Sequence, residues 1–135
     1  MLWRHKITFN HSHIGKPMPE LLTPTTIYSP LVKDLRSEIP ILGMAHITGG
    51  GIPGNLPRCI PSKYNVKVDY NSWPIPELFS KIMLAGEIPE EDMINTFNMG
   101  IGYCLIVPED VAKDTKDIIS KHNLKSWVIG EVVTD

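Results

Sequence analysis

The stretch AHITGGGIPGNLPR, residues 45–58, joins an apolar run to three consecutive glycines, and then to an asparagine and an arginine set among prolines. Glycine loses more backbone freedom on folding than any other residue, so three in a row are costly to order. Glycine also lets backbone N–H groups approach a bound anion in conformations that other residues avoid. Two uses of these glycines therefore remain open, an anion-binding loop or a tight turn between two strands.

The polar side chains around the glycines fit the first use. His46 and Thr48 flank the loop and can hydrogen-bond a ligand, a helical turn after the glycines would direct its positive end there, and Arg58 offers a planar fork of donors to phosphate or carboxylate. Under the second use, Arg58 pairs with a surface carboxylate and His46 is a satisfied core histidine. The spacing is that of neither a P-loop nor a dinucleotide fingerprint. The candidate binding residues of this stretch are His46, Thr48, Gly49, Gly50, Gly51, Asn55 and Arg58.

A second polar stretch, NTFNMGIG, residues 95–102, precedes another apolar run. Thr96 and Asn98 can hydrogen-bond a polar ligand if the two stretches meet at a cleft, and Gly100 allows a close backbone approach. The alternative is that Asn98 caps or turns the chain, as asparagine often does. The residues alone favour this second interpretation.

Between and around these stretches, strand patterns alternate with helix patterns. Leu31, Leu35 and Ile39 recur at helical spacing, with Ser29 as the expected cap and Pro30 in the first turn. Residues 41–48 and 100–107 are short apolar runs of the kind found in buried strands. A half-buried strand is predicted by the alternation YNVKVDY. A helix that stops at Gly86 is predicted by PIPELFSKIMLAG. Further helices and a last strand follow. We therefore predict an α/β (α+β) fold in which helices cover a mixed sheet.

Composition sets the protein class. A chain of 135 residues is most naturally one domain, and 42% hydrophobic with 21% charged residues is typical of globular proteins. The net charge of −2 argues against non-specific electrostatic binding of nucleic acid. No apolar run approaches the ~20 residues of a membrane span, and the first residues lack the apolar core of a signal peptide. We expect a cytoplasmic protein without nucleic-acid or membrane partners.

Other reactive residues give weaker signals. Cys59 and Cys104 form no C-x-x-C pair and lie in apolar stretches, so we expect buried free thiols and no zinc framework. His11 and His13 form an H-x-H pair that lacks a third ligand nearby in sequence, so no metal site is predicted. His122 is expected to act as a charge at a helix C-terminus. No triad or carboxylate pair suggests a nucleophile or a general acid, and catalytic residues stay unassigned.

Taken together, GMAHITGGGIPGNLPR and FNMGIGYCLIVP resemble the C-terminal domain of phosphoribosylformylglycinamidine cyclo-ligase, also called aminoimidazole ribonucleotide synthetase. ELLTPTTIYSPLVKDL, the helical stretch SWPIPELFSKIMLAGEIPEEDMINTFNMG and the terminal SWVIGEVV support the resemblance in the family's order, so that it covers nearly all of residues 20–133. The resemblance implies a partly ferredoxin-like α/β domain. It also implies that the glycine loop and the second stretch bind substrate, most simply a phosphate of a nucleotide.

The activity implied by the resemblance is imidazole ring closure in formylglycinamidine ribonucleotide, driven by ATP and Mg²⁺. In such enzymes an N-terminal domain makes most of the contacts to ATP and also dimerises. The partners implied are therefore the nucleotide substrate, that domain and, where dimerisation occurs, a second copy of the chain. This chain has no counterpart of that domain. We therefore expect residues 1–19 to be a helix remnant and loop, residues 20–135 to be the cyclo-ligase domain, and the chain alone to be inactive.

Two other functions remain open. The chain is a non-catalytic module that binds nucleotide or a partner protein, or it belongs to another ATP-using enzyme of the superfamily, such as a selenophosphate synthetase or a thiamine-phosphate kinase. The motifs HITGGG and NLPR, together with FNMG, fit the cyclo-ligase pattern better than either of these enzymes.

Overall fold

Helices and strands alternate along residues 23–134, the part of the chain that the computed structural model describes. The expected helix remnant, the H-x-H pair and most of the N-terminal loop lie outside the described residues. The helices are α1 Ser29–Glu38, α2 Gly51–Asn55, α3 Glu77–Gly86, α4 Glu90–Thr96 and α5 Ala112–Lys121, with single 3₁₀ turns at Leu56–Cys59 and Glu109–Val111; the strands are β1 Gly43–His46, β2 Tyr64–Val68, β3 Tyr103–Ile106 and β4 Gly130–Thr134.

The strands form two antiparallel pairs. β1 pairs with β3, so that Ala45 lies opposite Cys104 and His46 opposite Tyr103. β2 pairs with β4, with Val66 opposite Val132. The predicted α/β class is confirmed. In place of the single mixed sheet that the sequence predicts, the strands of the described residues form two separate antiparallel pairs. The ends of β1 and β3 carry the two polar stretches, which therefore leave the same edge of one strand pair.

Helix α1 shows how the local sequence determines packing. Leu31, Leu35 and Ile39 are buried as their spacing predicts, and they pack with Ile118 and Ile119 of α5 in one apolar cluster. Ser29 is not the cap. Tyr28 occupies that position without a side-chain cap bond, and Pro30 lies in the first turn because its missing N–H is not needed there.

The middle of α1 also contacts the end of α5 through a polar pair. His122, which follows α5, has its Nε2 2.9 Å from Oδ2 of Asp34. The histidine lies at the helix C-terminus as predicted, where a positive charge is favourable.

Helices α3 and α4 follow each other with a short break. The glycine stop is close to the prediction, but Gly86 is the last helical residue, and Glu87 takes the left-handed conformation with φ 51°. Glu90, Glu91 and Asp92 occupy the first turn of α4, where the macrodipole favours acidic side chains.

A second apolar cluster lies beneath the two polar stretches. Its buried members are Ile47, Ile52, Leu56, Trp73, Met93, Met99, Ile101 and Cys104. Because this cluster takes residues from both stretches, it fixes them relative to each other. In the described part of the chain, none of the helices has the length and apolar character needed to cross a membrane.

Candidate functional site

The glycine loop leaves β1 after His46 and is held at its start by a bond from the Ile47 N–H to the Gly102 carbonyl, 2.9 Å long. It then turns through Gly50 at φ 94° and Gly51 at φ 59° before α2 begins. Positive φ values of this kind are readily adopted by glycine alone. The two glycines are therefore required for the path of the chain itself, whatever the loop binds.

Gly51 is also required because no side chain fits there. A Cβ at this position would overlap the carbonyl oxygens of Ile94 and Phe97, at the end of α4. The Gly50 N–H donates to the Thr96 carbonyl at 3.3 Å. The first polar stretch thus packs directly on the second, as expected if the two meet at one place.

Gly49 differs from its two neighbours. It is exposed, and a Cβ there would have no neighbour within 4 Å. The Gly51 N–H donates to the Thr48 carbonyl at 3.1 Å, whereas the Gly49 N–H has no acceptor among residues 23–134. Of the three loop amides, the one at Gly49 is therefore the one available to a ligand.

Asn55 lies beneath the loop. Its side chain is 6% exposed, and its Nδ2 donates to the Gly51 carbonyl at 2.7 Å, to that of Gly49 at 3.2 Å and to that of Thr48 at 3.5 Å. Carbonyl oxygens that turn inward need such a donor, since an unpaired buried acceptor is costly. This geometry gives Asn55 a direct role in holding the loop.

The second stretch ends in a tight turn. The Ile101 N–H donates to the Asn98 carbonyl at 3.0 Å, and the central residues Met99 and Gly100 both have positive φ, 50° and 97°. Oδ1 of Asn98 accepts the Gly100 N–H at 3.0 Å. Asn98 therefore turns the chain, which is the interpretation that the residues alone favour.

Arg58 and the two threonines lie at the surface. Arg58, in the 3₁₀ turn after α2, is exposed, and no carboxylate of the described residues forms an ion pair with it. The surface-carboxylate alternative is therefore not seen in this part of the chain. Thr48 and Thr96 are exposed as well, and their backbone carbonyls accept the bonds from Gly51 and Gly50.

Three rings gather where β1 and β3 end. His46 is exposed and lies 6.1 Å from the ring of Tyr103, nearly parallel to it. Tyr28 lies 5.0 Å from Tyr103 and 5.8 Å from His46, measured between ring centres. A Cβ on Gly102 would overlap the Tyr28 hydroxyl, so this glycine makes room for the tyrosine. No local sequence pattern marks Tyr28 and Tyr103, because their proximity depends on the tertiary structure.

The two thiols are free, as predicted. Cys104 is buried, and this burial, with a smaller contribution from Cys59, raises its pKa to about 12. Burial first and Cys59 second also raise the pKa of Tyr103. At neutral pH, Cys104 is therefore a protonated core residue and no nucleophile. Cys59 is only partly buried, and its thiol donates to the Leu56 carbonyl at 3.1 Å.

A cleft of about 1080 Å³ borders the second stretch. Gly100, Gly102, Tyr103 and Tyr28 belong to its lining, together with residues of β2, β4 and α5. Of the predicted residues, Gly100 lines this cleft, whereas those of the glycine loop lie outside its lining. In residues 23–134, no group of His, Cys, Asp and Glu side chains could hold a metal ion.

These features define an α/β domain in which a glycine loop and a strained turn, held together by backbone bonds, form one exposed edge. The chain belongs to the family described as "AIR synthase related protein, C-terminal domain", which matches residues 3–135. That match confirms the resemblance on which the sequence interpretation rests.

Individual relatives agree with the family match. The chain is 50% identical over 122 residues to the phosphoribosylformylglycinamidine cyclo-ligase of Prochlorococcus marinus strain MIT 9313, a match that covers 89% of the chain and 35% of the relative. It is 50% identical over 115 residues to the enzyme of that name from Synechococcus sp. strain CC9902, covering 84% of the chain and 33% of the relative. The chain thus spans about a third of the length of these relatives.

Proposed function

We propose that this chain is the C-terminal part of an ATP- and Mg²⁺-dependent cyclo-ligase that closes the imidazole ring of formylglycinamidine ribonucleotide in purine synthesis. The observation that carries the proposal is family membership over residues 3–135, with relatives that are named for this cyclo-ligase activity. Because the chain spans about a third of those relatives, the activity is proposed for a complete protein, and we expect no turnover from the chain alone.

The glycine loop is proposed to bind a phosphate of the nucleotide substrate or of ATP. Gly49 is exposed, its amide has no acceptor among residues 23–134, and the bare Cα leaves room for close approach. Arg58 would add a charged fork of donors, and His46 and Thr48 lie beside Gly49 in the chain. As the resemblance implies, Mg²⁺ and most of the contacts to ATP are assigned to the remainder of the complete protein.

The second stretch is proposed to orient the reacting end of the substrate. Gly100 borders the cleft, and Thr96 and Asn98 immediately precede it. In the proposed reaction, ATP phosphorylates the formyl oxygen, an amidine nitrogen attacks the activated carbon, and phosphate leaves. Such a ring closure gains most from holding the two reacting ends together. We therefore assign these residues binding and orientation rather than proton transfer.

A domain exchange tests the proposal. The C-terminal domain of the Prochlorococcus marinus strain MIT 9313 cyclo-ligase is replaced by residues 20–135 of this chain, and ADP release is measured with ATP, Mg²⁺ and formylglycinamidine ribonucleotide. We expect substrate-dependent turnover within about tenfold of the parent enzyme. The chain alone should give none above background.

The matched control is the same chimera with Gly51→Ala, which disrupts the loop and should abolish turnover. A folded chimera without substrate-dependent ADP release would contradict the proposal and leave the non-catalytic module as the better interpretation. Turnover that does not depend on this ribonucleotide would favour another enzyme of the superfamily.

A further inference from the structure

The turn at residues 98–101 contains an unfavourable backbone conformation. Both central residues have positive φ, which glycine adopts freely at Gly100 but which methionine at position 99 rarely adopts. Such a conformation persists only where the surroundings impose it. Met99 is buried, with 6% of its surface exposed, so contacts within the protein impose this conformation.

Trp73 supplies the restraint. Its indole Nε1 donates to the Met99 carbonyl at 3.0 Å, across 26 residues of chain. The indole is 5% exposed and packs 5.3 Å from the Tyr70 ring, so the donor is fixed in position. Three residues further on, Pro76 lies against Gly100 so closely that a Cβ there would overlap the proline ring. The segment from Trp73 to Pro76 thus covers the turn from one side.

The other side of the turn continues into the glycine loop. The carbonyls of Thr96 and Phe97, directly before the turn, contact Gly50 and Gly51. A change in the conformation of Met99 would therefore move the residues on which the glycine loop rests. No residue of the Trp73–Pro76 segment belongs to either polar stretch.

We propose that Trp73 is a positioning residue, whose indole N–H holds Met99 in the left-handed conformation and thereby fixes both polar stretches. The consequence for ligand binding rests on the proposed function, whereas the effect on the turn does not. The Ile101 amide reports on the turn directly, because its bond to the Asn98 carbonyl exists only while the turn is closed.

Amide hydrogen exchange of the chain tests the proposal without any ligand. Trp73→Phe keeps an aromatic ring and removes the N–H donor. We expect exchange of the Ile101 amide to accelerate roughly tenfold relative to the Asp69 amide, which donates to the Ile129 carbonyl just beyond the paired residues of β2 and β4. The matched control is Trp127→Phe, since Trp127 packs on the same cluster but its indole bonds to no described residue. Equal acceleration in both variants would overturn the proposal.

A second set of variants, made in a protein that carries Met99→Gly, distinguishes a positioning role of the Trp73 N–H from a simple packing role of the Trp73 ring. Met99→Gly places at position 99 a residue that adopts positive φ without help. In that background, Trp73→Phe should accelerate Ile101 exchange no more than about twofold, whereas a packing role predicts the same acceleration in both backgrounds. If Trp73→Phe does not fold alone but folds together with Met99→Gly, the rescue supports the proposal. Failure to fold in both backgrounds overturns it.

The effect of Trp73 on substrate binding is measured in the chimera. In the chimera, Trp73→Phe should raise the KM for formylglycinamidine ribonucleotide severalfold, whereas Gly54→Ala, whose Cβ would meet no neighbour within 4 Å, should not. A chimera without any activity would contradict the proposed function while the exchange result stands by itself. An accelerated Ile101 amide with an unchanged KM would overturn the link between the turn and the substrate site.

Discussion

Gly49 and Gly51 are two residues apart, yet their surroundings are opposite. Gly51 is buried, has positive φ and lies against two carbonyl oxygens, so its lack of a side chain is a structural requirement. Gly49 is exposed, has no positive φ and has empty space where a side chain would be. Gly51 is required for the packing of the loop, whereas Gly49 leaves space at its surface. A run of glycines therefore needs to be interpreted residue by residue.

The same division applies to the polar residues around the loop. Asn55 and Cys104 lie on the buried side, where Asn55 directs three loop carbonyls and Cys104 fills the core. Arg58, Thr48 and His46 lie on the open side, exposed. We expect substitutions on the buried side to act on stability and those on the open side to act on ligand binding.

The largest effect is expected for Gly51→Ala. A Cβ would overlap backbone oxygens that cannot move without unwinding the end of α4, and the positive φ disfavours alanine besides. Together these should lower the free energy of unfolding by about 3 kcal/mol, measured by urea denaturation. Gly54→Ala is the control, since a Cβ there has no neighbour within 4 Å and alanine favours the helix. A Gly51→Ala protein as stable as this control would contradict the distinction.

Asn55→Ala should come next. Removal of the Nδ2 donor leaves the carbonyls of Thr48, Gly49 and Gly51 without their shared partner and should cost about 2 kcal/mol. Asn55→Asp has nearly the same shape but offers no donor, so it should destabilise at least as much as alanine in urea denaturation at neutral pH. If aspartate restored stability, shape rather than hydrogen bonding would be what position 55 supplies.

Cys104 makes the stability of the folded protein depend on pH. Burial raises the pKa of this thiol from its ordinary value of 9.0 to about 12 in the folded protein, so folding favours the protonated thiol. This contribution is fully present below pH 9 and is lost as the pH rises from 9 toward 12. The fall in melting temperature between pH 8 and pH 10 should therefore be smaller in Cys104→Val than in the unchanged chain. Identical falls in both proteins would show that Cys104 does not ionise on unfolding.

How far the sequence predicts this structure depends on the range of the interactions. The helix of Leu31, Leu35 and Ile39, the alternating strand β2 and the turn at Asn98 follow from spacing within a few residues, and these predictions are confirmed. The pairing of the strands into two separate pairs depends on contacts far apart in the chain and was not predicted.

The candidate site shows the same limit. Its glycines were recognisable, but their different roles depend on α4, which packs against Gly51 from about 40 residues away in sequence. The restraint of Met99 by Trp73 and the rings around His46 likewise need the tertiary structure. Whether His46, Thr48, Gly49 and Arg58 bind a phosphate stays a prediction.

The smallest effect on stability is expected for Gly49→Ala, and this variant tests the open side. Its Cβ enters empty space at an ordinary φ, so the free energy of unfolding should change by less than about 0.5 kcal/mol. The added methyl group would nevertheless stand beside the Gly49 amide, which alone of the three loop amides has no acceptor among residues 23–134, and it would hinder the approach of a phosphate there. In the chimera, the KM for formylglycinamidine ribonucleotide should rise about tenfold, because a charged hydrogen bond is lost. Gly54→Ala should leave this KM unchanged. An unchanged KM in Gly49→Ala at unchanged stability would mean that the open end of the loop does not contact the substrate phosphate, and the three glycines would then serve the path of the chain alone.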